Sequence, residues 1–224
     1  MTGLPQIEKE NLSEKVYHTI RGALIDGQYQ PGDRLRIAAL AEQLGTSITP
    51  VREAIFRLIS EQALEMKAAT AIHVPRIDAR QLKEIQLIRS HLEGEAAAHT
   101  AANITDEQLA EAEAIHAAFI EAAHHDSRLA SVKNRDFHFF LLRSSGLPLV
   151  EAIVENLWTK MGPLLLVFNT LLPQREITSK DHKHFAVLDA LRKRDPEAAR
   201  KAIQADIEWG HILVEWLENK VGKP

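Results

Sequence analysis

The stretch from Pro31 to Val74 constrains the fold of this chain more than any other part of the sequence. It contains two short helical patterns, about Ile37–Leu44 and about Pro50–Glu61, which are joined by a tight turn. Thr49 is a suitable N-cap for the second helix, and the proline after it fits the first helical position, where its missing N–H costs nothing. Arg52 then lies in the first turn of that helix. The second helix of a helix-turn-helix enters the major groove by its N-terminal residues, where arginine can bond guanine O6 and N7.

The elements on either side of this pair predict a winged helix. A first helix is expected from about Leu12 to Asp26, where an apolar stripe ends at Gly27. Two short apolar segments, Leu64–Met66 and Ile72–Val74, follow the helix pair and are close enough in sequence to form a small β-hairpin. Three helices followed by a hairpin make up a winged helix-turn-helix.

After a short linker at 75–78, the pattern changes to long amphipathic helices without strand-like alternation. The expected spans are Ala79–Asn103, Thr105–His124, Ser127–Ser145, a helix from about Leu147 with a potential break at Gly162–Pro163, Arg175–Arg194 and Pro196–Lys220. The sequence therefore predicts a mostly α fold. A winged helix-turn-helix DNA-binding domain (residues 1–77) precedes an all-α antiparallel bundle of about six helices (residues 78–224).

Composition restricts the class of protein. The chain has no cysteine, which excludes disulfides and thiolate metal sites. Its N-terminus lacks the apolar core of a signal peptide, and its longest apolar run, Met161–Phe168, is too short to span a bilayer. We therefore expect a cytoplasmic protein without a membrane segment. Because the formal net charge is -4, DNA binding would require the basic groups to be segregated on one surface.

Three segments carry a specific resemblance: PGDRL at 31–35, LAEQLG at 40–45 and TPVREAIFRL at 49–58. Together they resemble the winged helix of the GntR family of bacterial transcription regulators. The resemblance implies a homodimer on an inverted-repeat operator in double-stranded DNA, in which Arg52 contacts a base, Arg34 lies near the backbone and Thr49 bonds a phosphate or a base. Arg36 and Arg57 lie close to the same helices and are further candidates for DNA contact.

The chain departs from this family pattern at two places. Ile48 stands where the turn usually carries a basic residue, which removes one base contact. Ala71 stands near the position at which the wing usually carries a glycine. Both departures concern the details of DNA contact and leave the fold prediction unchanged.

Helical periodicity in the second half predicts a metal site. Asn134 and His138 are four residues apart and share one face of a helix, which its apolar neighbours turn partly towards the core. His184 begins another apolar helix, and Asp206 lies on the inward stripe of the last one. An amide oxygen, two imidazoles and a carboxylate suit a divalent ion, with zinc first and nickel or manganese as alternatives.

The segments LIRSHLEGEAAA at 87–98, NRDFHFFLLRSSG at 134–146 and HFAVLDALRKRDPEAARKAI at 184–203 resemble the FadR-type ligand-binding (FCD) domain. The resemblance implies that Asn134, His138 and His184 ligate the metal, and that Asp206 stands where many members have a third histidine. With one formal negative charge among these ligands, the ion would favour a small carboxylate as the effector. Arg89 could clamp that carboxylate, or it could form a structural ion pair with Glu93 one turn away.

The leading hypothesis is a ligand-responsive transcription regulator, with repression relieved by the ligand as the commoner mode in the family. One alternative is a DNA-binding protein whose metal is purely structural and which has no effector. A remote alternative is a metal-dependent enzyme. We do not expect an enzyme, because the sequence contains no HExxH motif, no Ser/His/Asp order and no phosphate-binding loop.

Overall fold

The computed structural model describes residues 12–67, 71–171 and 183–221. The N-terminal part is a winged helix-turn-helix, as predicted. Its elements are α1 (Leu12–Ile25), β1 (Arg34–Leu35), α2 (Ile37–Gln43), α3 (Ile48–Ser60), β2 (Glu65–Lys67) and β3 (Ala71–His73). Buried side chains from α1, α3 and the segment after α3 form its core, including Leu24, Ile55, Leu58 and Leu64.

The start of α3 differs from the sequence prediction. The helix begins at Ile48 with Ser47 as its N-cap in an extended conformation, so Thr49 is the second helical residue and not the N-cap. Gly45 adopts a left-handed conformation (φ 62°), which ends α2 and reverses the chain within the turn. Pro50 is still in the first turn, whose N–H groups have no intrahelical partner, and the helix can therefore begin two residues before it.

The wing is a three-stranded antiparallel sheet in the order β1-β3-β2. Its register places Arg34 opposite His73 and Met66 opposite Ile72. The predicted hairpin corresponds to β2 and β3. Strand β1 was missed, because a two-residue strand carries no periodicity of its own and exists only through its pairing with β3.

The second part is the predicted bundle, and its described residues contain seven helices instead of about six. They are α4 (Ala79–Asn103), α5 (Asp106–His125), α6 (Ser127–Ser144), α7 (Pro148–Leu171), α8 (Lys183–Lys193), α9 (Pro196–Trp209) and α10 (His211–Val221). The additional helix arises because Gly210 interrupts the last predicted span. The predicted start near Arg175 lies outside the described residues. None of the described helices has the length and apolar character needed to cross a membrane.

The predicted break at Gly162–Pro163 is absent, and α7 continues through both residues. A proline inside a helix removes one backbone hydrogen bond and introduces a steric conflict. Here Trp158, Met161 and Leu164 are buried on both sides of the proline, and this packing holds the helix together.

The winged helix is docked directly on the bundle, through the end of α1. A Cβ atom built on Gly162 would lie 2.7 Å from Ile25 Cα, so glycine allows α7 to approach the α1 backbone closely. The Arg21 guanidinium donates to Glu155 Oε2 at 2.7 Å. Arg135 of α6 forms an ion pair with Asp26 just after α1. These contacts join the winged helix to α7 and to α6, and α6 carries two of the predicted metal ligands.

Candidate metal centre and DNA-reading surface

Helices α6, α8 and α9 bring His138, His184 and Asp206 together. Each residue offers a ligand atom, and these atoms all lie within 4.8 Å of one another. His138 Nε2 lies 3.1 Å from Asp206 Oδ2, and His184 Nε2 lies 3.9 Å from Asp206 Oδ1. Both histidines are fully buried, while the Asp206 side chain is 9% exposed. Two imidazoles and one carboxylate at this separation form a cluster that could hold a divalent ion.

A small cavity opens beside this cluster. Its volume is about 90 Å³, and its lining includes Asn134, His138 and Asp206. Asn134 is half-buried and lies one turn before His138 on α6. Arg89 of α4 lines the same cavity. The structure therefore brings the predicted metal and effector residues close together. His184 is not among the residues that line the cavity, and it joins the others through its proximity to Asp206.

Glu93 completes the site and is the main functional candidate that sequence reasoning missed. Its carboxylate lies 2.7 Å from His138 Nδ1 and accepts a hydrogen bond from Arg89 Nε at 2.6 Å. It also accepts one from Trp158 Nε1 at 3.2 Å, and the Arg89 guanidinium lies 4.2 Å from the centre of a Trp158 ring. The Arg89–Glu93 ion pair that the sequence offered as an alternative is present, and Arg89 still lines the cavity.

A sequence signal for Glu93 existed. It occupies the buried stripe of α4 together with Leu82, Ile85, Arg89 and Ala96, at spacings of three and four residues. A carboxylate in such a stripe, one turn after an arginine, indicates a buried ion pair. The position of Trp158 on α7 carried no comparable signal, because its indole meets Glu93 only through helix packing.

Charge pairing controls the protonation of this site. Burial disfavours the charged form of Glu93, but the charges of Arg89 and His138 and their hydrogen bonds outweigh it and lower the Glu93 pKa to about 2. Burial also disfavours the imidazolium of His138, but Glu93 and Asp206 outweigh it and raise the His138 pKa to about 9. The metal-free site therefore holds a proton on His138 at neutral pH, and an incoming cation would displace it.

His116 of α5 is a second residue that sequence reasoning did not single out. It is buried, and its ring centre lies 5.6 Å from that of His184. Burial, reinforced by the charge of Arg192, lowers its pKa. His116 therefore places beside His184 an imidazole whose charged form is disfavoured.

Three other histidines, His91, His124 and His125, are exposed and lie away from the cluster. His182, two residues before His184, lies outside the described residues.

The DNA-reading candidates separate into two groups. Four are exposed on β1, just before α2 and on the first two turns of α3, and they are Arg34, Arg36, Thr49 and Arg52. Ile48 lies beside them with 46% of its surface exposed.

Arg57 is placed differently. Its guanidinium donates to Glu14 Oε2 at 2.8 Å and to Glu61 Oε1 at 3.2 Å. It also lies 3.7 Å from the centre of the Tyr17 ring. These contacts tie Arg57 to the packing of α1 against α3.

Comparison with known proteins agrees with the fold and with the motif positions. Residues 12–74 match the bacterial regulatory proteins of the gntR family, and residues 84–208 match the FCD domain. The chain is 34% identical over 215 residues to the HTH-type transcriptional regulator McbR of Escherichia coli, covering 96% of this chain and 97% of McbR. It is 28% identical over 203 residues to a probable D-xylose utilization operon transcriptional repressor of Paenarthrobacter nicotinovorans, with 88% and 86% coverage.

A solved structure of E. coli McbR/YncC superimposes with a TM-score of 0.86 at 32% identity, covering 94% of this chain and 99% of that one. A putative GntR regulator from Rhodococcus sp. RHA1 shares the fold with a TM-score of 0.72 at 21% identity, with 90% and 96% coverage. The chain therefore belongs to the GntR family of transcription regulators, in the FadR-type branch that carries an FCD domain.

Proposed function

We propose that this regulator is a repressor that binds an inverted-repeat operator as a homodimer and senses a small organic acid in a metal-bearing pocket. The proposal divides the chain into a DNA-reading domain (residues 1–77) and a sensing and dimerisation domain (residues 78–224). The observation that carries it is the buried cluster of His138, His184 and Asp206, which opens onto a cavity lined by Arg89. A relative named as a probable repressor supports the direction of regulation.

For DNA recognition we assign base contact to Arg52, which is exposed near the start of α3. Arg34, Arg36 and Thr49 are exposed beside it and would hold the phosphate backbone. Arg57 would act indirectly, because its ion pairs with Glu14 and Glu61 already engage its guanidinium.

For the metal we assign His138, His184 and Asp206 as ligands, with Asn134 as a weaker fourth, and zinc as the preferred ion. The Glu93 carboxylate would hold His138 by Nδ1, so that Nε2 points at the ion. When bound, the ion would supply positive charge to a site whose protein ligands leave room for an anion.

The cavity limits the size of the effector. Its volume of about 90 Å³ is well below the ~300–1,000 Å³ that is typical of small-molecule sites. We therefore expect a small carboxylate, with its acid group between the metal and Arg89. Such a ligand changes operator affinity only if it prefers one of two domain arrangements.

The first test of operator binding is selection from sheared genomic DNA at near-physiological salt, followed by sequencing of the retained fragments. We expect one or a few short inverted repeats. Arg52→Ala should abolish the enrichment, whereas Arg80→Ala, a matched change at an exposed arginine on α4, should leave it intact. Equal enrichment with Arg52→Ala would contradict the assigned reading helix.

The sensing part is tested by zinc titration of the chelated protein and by operator binding with added glycolate or pyruvate. We expect one zinc per chain, loss of that binding in His138→Ala, and no loss in His91→Ala, because His91 is exposed on α4. Zinc binding with no response to any small acid, together with melting of the helical domain on chelation, would support the alternative of a purely structural metal.

A further inference from the structure

A second and larger cavity lies between the winged helix and the helical bundle; we refer to it as the interdomain cavity. Its volume is about 600 Å³, which lies within the range of ~300–1,000 Å³ that is typical of small-molecule sites. The cavity beside His138 and Asp206 has a volume of only about 90 Å³. The walls of the interdomain cavity come from the end of α3, strand β2, the linker, α4 and α7. The two cavities share no lining residue, so the interdomain cavity is a separate site.

Apolar side chains from both domains form most of its wall. They include Ile59, Leu64, Met66, Ile85, Ile88 and Leu157. Met66 and Ile88 each keep 42% of their surface exposed, although each lies in an ordered element. An apolar ligand body would remove this surface from water.

Two carboxylates and two cations line the cavity, and they differ in whether they form salt bridges. Its two lining carboxylates have cationic partners, since Glu65 pairs with Lys67 at 2.7 Å and Glu84 pairs with Arg80 at 3.3 Å. Its two lining cations, Arg76 and Lys160, form no ion pair among the described residues. Both lining carboxylates are therefore engaged in salt bridges, whereas neither lining cation is in a salt bridge among the described residues.

The hydrogen bond of Lys160 crosses the domain boundary. Lys160 Nζ of α7 donates to Gln62 Oε1 at 3.0 Å. Gln62 lies just after α3 in a left-handed conformation (φ 60°). A neutral amide is a weaker partner for an ammonium group than a carboxylate, and an anionic ligand would bind Lys160 more strongly than Gln62 does.

From this combination of volume, apolar wall and two cations outside salt bridges, we infer that the interdomain cavity binds an amphipathic organic anion. Its carboxylate or sulfonate group binds Lys160, with Arg76 as the second cation of the wall, and its aliphatic or aromatic body packs against the apolar wall. This site is independent of the metal centre and takes a larger, more apolar ligand than that centre can hold. Because its walls belong to both domains, its ligand can bias the position of the wing relative to the bundle.

The methionines of the chain allow a direct test. There are three, at positions 1, 66 and 161. Met66 lines the interdomain cavity, and Met161 lines the metal-centre cavity. Protein labelled with ¹³C at the methionine methyl groups therefore reports on the two cavities separately, with Met66→Leu and Met161→Leu to assign the signals.

Decanoate is the probe, and 1-decanol is its neutral analogue. We expect decanoate to shift the Met66 signal saturably, with one site per chain, while the Met161 signal stays in place. The double variant Arg76→Gln with Lys160→Gln should weaken decanoate binding by roughly tenfold or more, because two charge-assisted contacts are lost. Lys193→Gln, which removes an exposed lysine on α8, should not change it.

Three outcomes would overturn the proposal. They are equal binding of decanoate and decanol, unchanged decanoate binding in the double variant, and a shift of Met161 in place of Met66. Each can be measured on metal-free and on zinc-loaded protein, so failure of the metal-site proposal would not be mistaken for failure of this one.

Discussion

Replacing Glu93 with glutamine tests the buried charge network of the metal centre. The change preserves the shape of the side chain but removes the negative charge that Arg89 and His138 share. The Arg89 side chain is only 6% exposed and that of Glu93 only 3%. Leaving one member of a buried ion pair without its partner costs ~3–5 kcal/mol. We expect Glu93→Gln to lower the free energy of unfolding of the helical domain by about that amount.

Glu95→Gln is the matched control on the same helix. Glu95 pairs with Arg200 at 2.9 Å, but its side chain is 52% exposed, and an exposed pair contributes only ~0–1 kcal/mol. Urea unfolding of the chelated proteins, followed by far-ultraviolet circular dichroism, measures both variants without a contribution from zinc. A Glu93→Gln variant within about 1 kcal/mol of the Glu95→Gln variant would refute the assignment of a buried, charge-coupled network.

The same two variants also test whether Glu93 orients His138 for metal binding, in addition to stabilising the fold. Loss of a carboxylate partner behind a metal-binding histidine weakens metal binding by ~10–100-fold. We expect this loss of zinc affinity in Glu93→Gln and none in Glu95→Gln. If zinc affinity were unchanged in Glu93→Gln, Glu93 would have a structural role only.

Three further changes test other parts of the structure. In Gly162→Ala the new Cβ would lie 2.7 Å from Ile25 Cα, so α1 should be displaced and the linker should become open to limited proteolysis. Gly22→Ala should not have this effect, because a Cβ on Gly22 would have no neighbouring atom within 4 Å. In metal-free protein, the raised pKa of His138 stabilises the fold fully below about pH 6.5, and this contribution is lost as the pH rises through about 9. A free energy of unfolding in urea that stays constant over this range would contradict the His138 network. If these apolar side chains form the interface of the proposed homodimer, Leu149→Glu with Ile153→Glu should give monomers in light scattering, since they are 80% and 49% exposed one turn apart on α7. A charge at the 45% exposed Leu129 should leave the dimer intact.

Local rules in the sequence accounted for the elements whose causes lie within a few residues. The capping pair of Thr105 and Gln108 starts α5 within one residue of the predicted start, and Asp195 caps α9 before its first-turn proline. The four-residue spacing of Asn134 and His138 placed both at one cavity. Hydrogen bonds at helix ends and helical periodicity both act over three or four residues, so they can be recognised without knowledge of the fold.

Helix packing decided the rest. Glu93 and His138 are 45 residues apart in sequence, and only the packing of α4 against α6 makes the carboxylate the partner of the imidazole. Likewise, α7 continues through Pro163 because its neighbours are buried, and Arg57 turns towards Glu14 because α1 packs against α3. Such contacts depend on the relative positions of whole helices, which follow from the combined burial of many side chains and leave no local pattern at the residues concerned. The sequence by itself therefore determined the family, the domain order and the metal-ligand candidates, whereas only the tertiary structure decided which charges meet in the core and where the two domains leave a cavity.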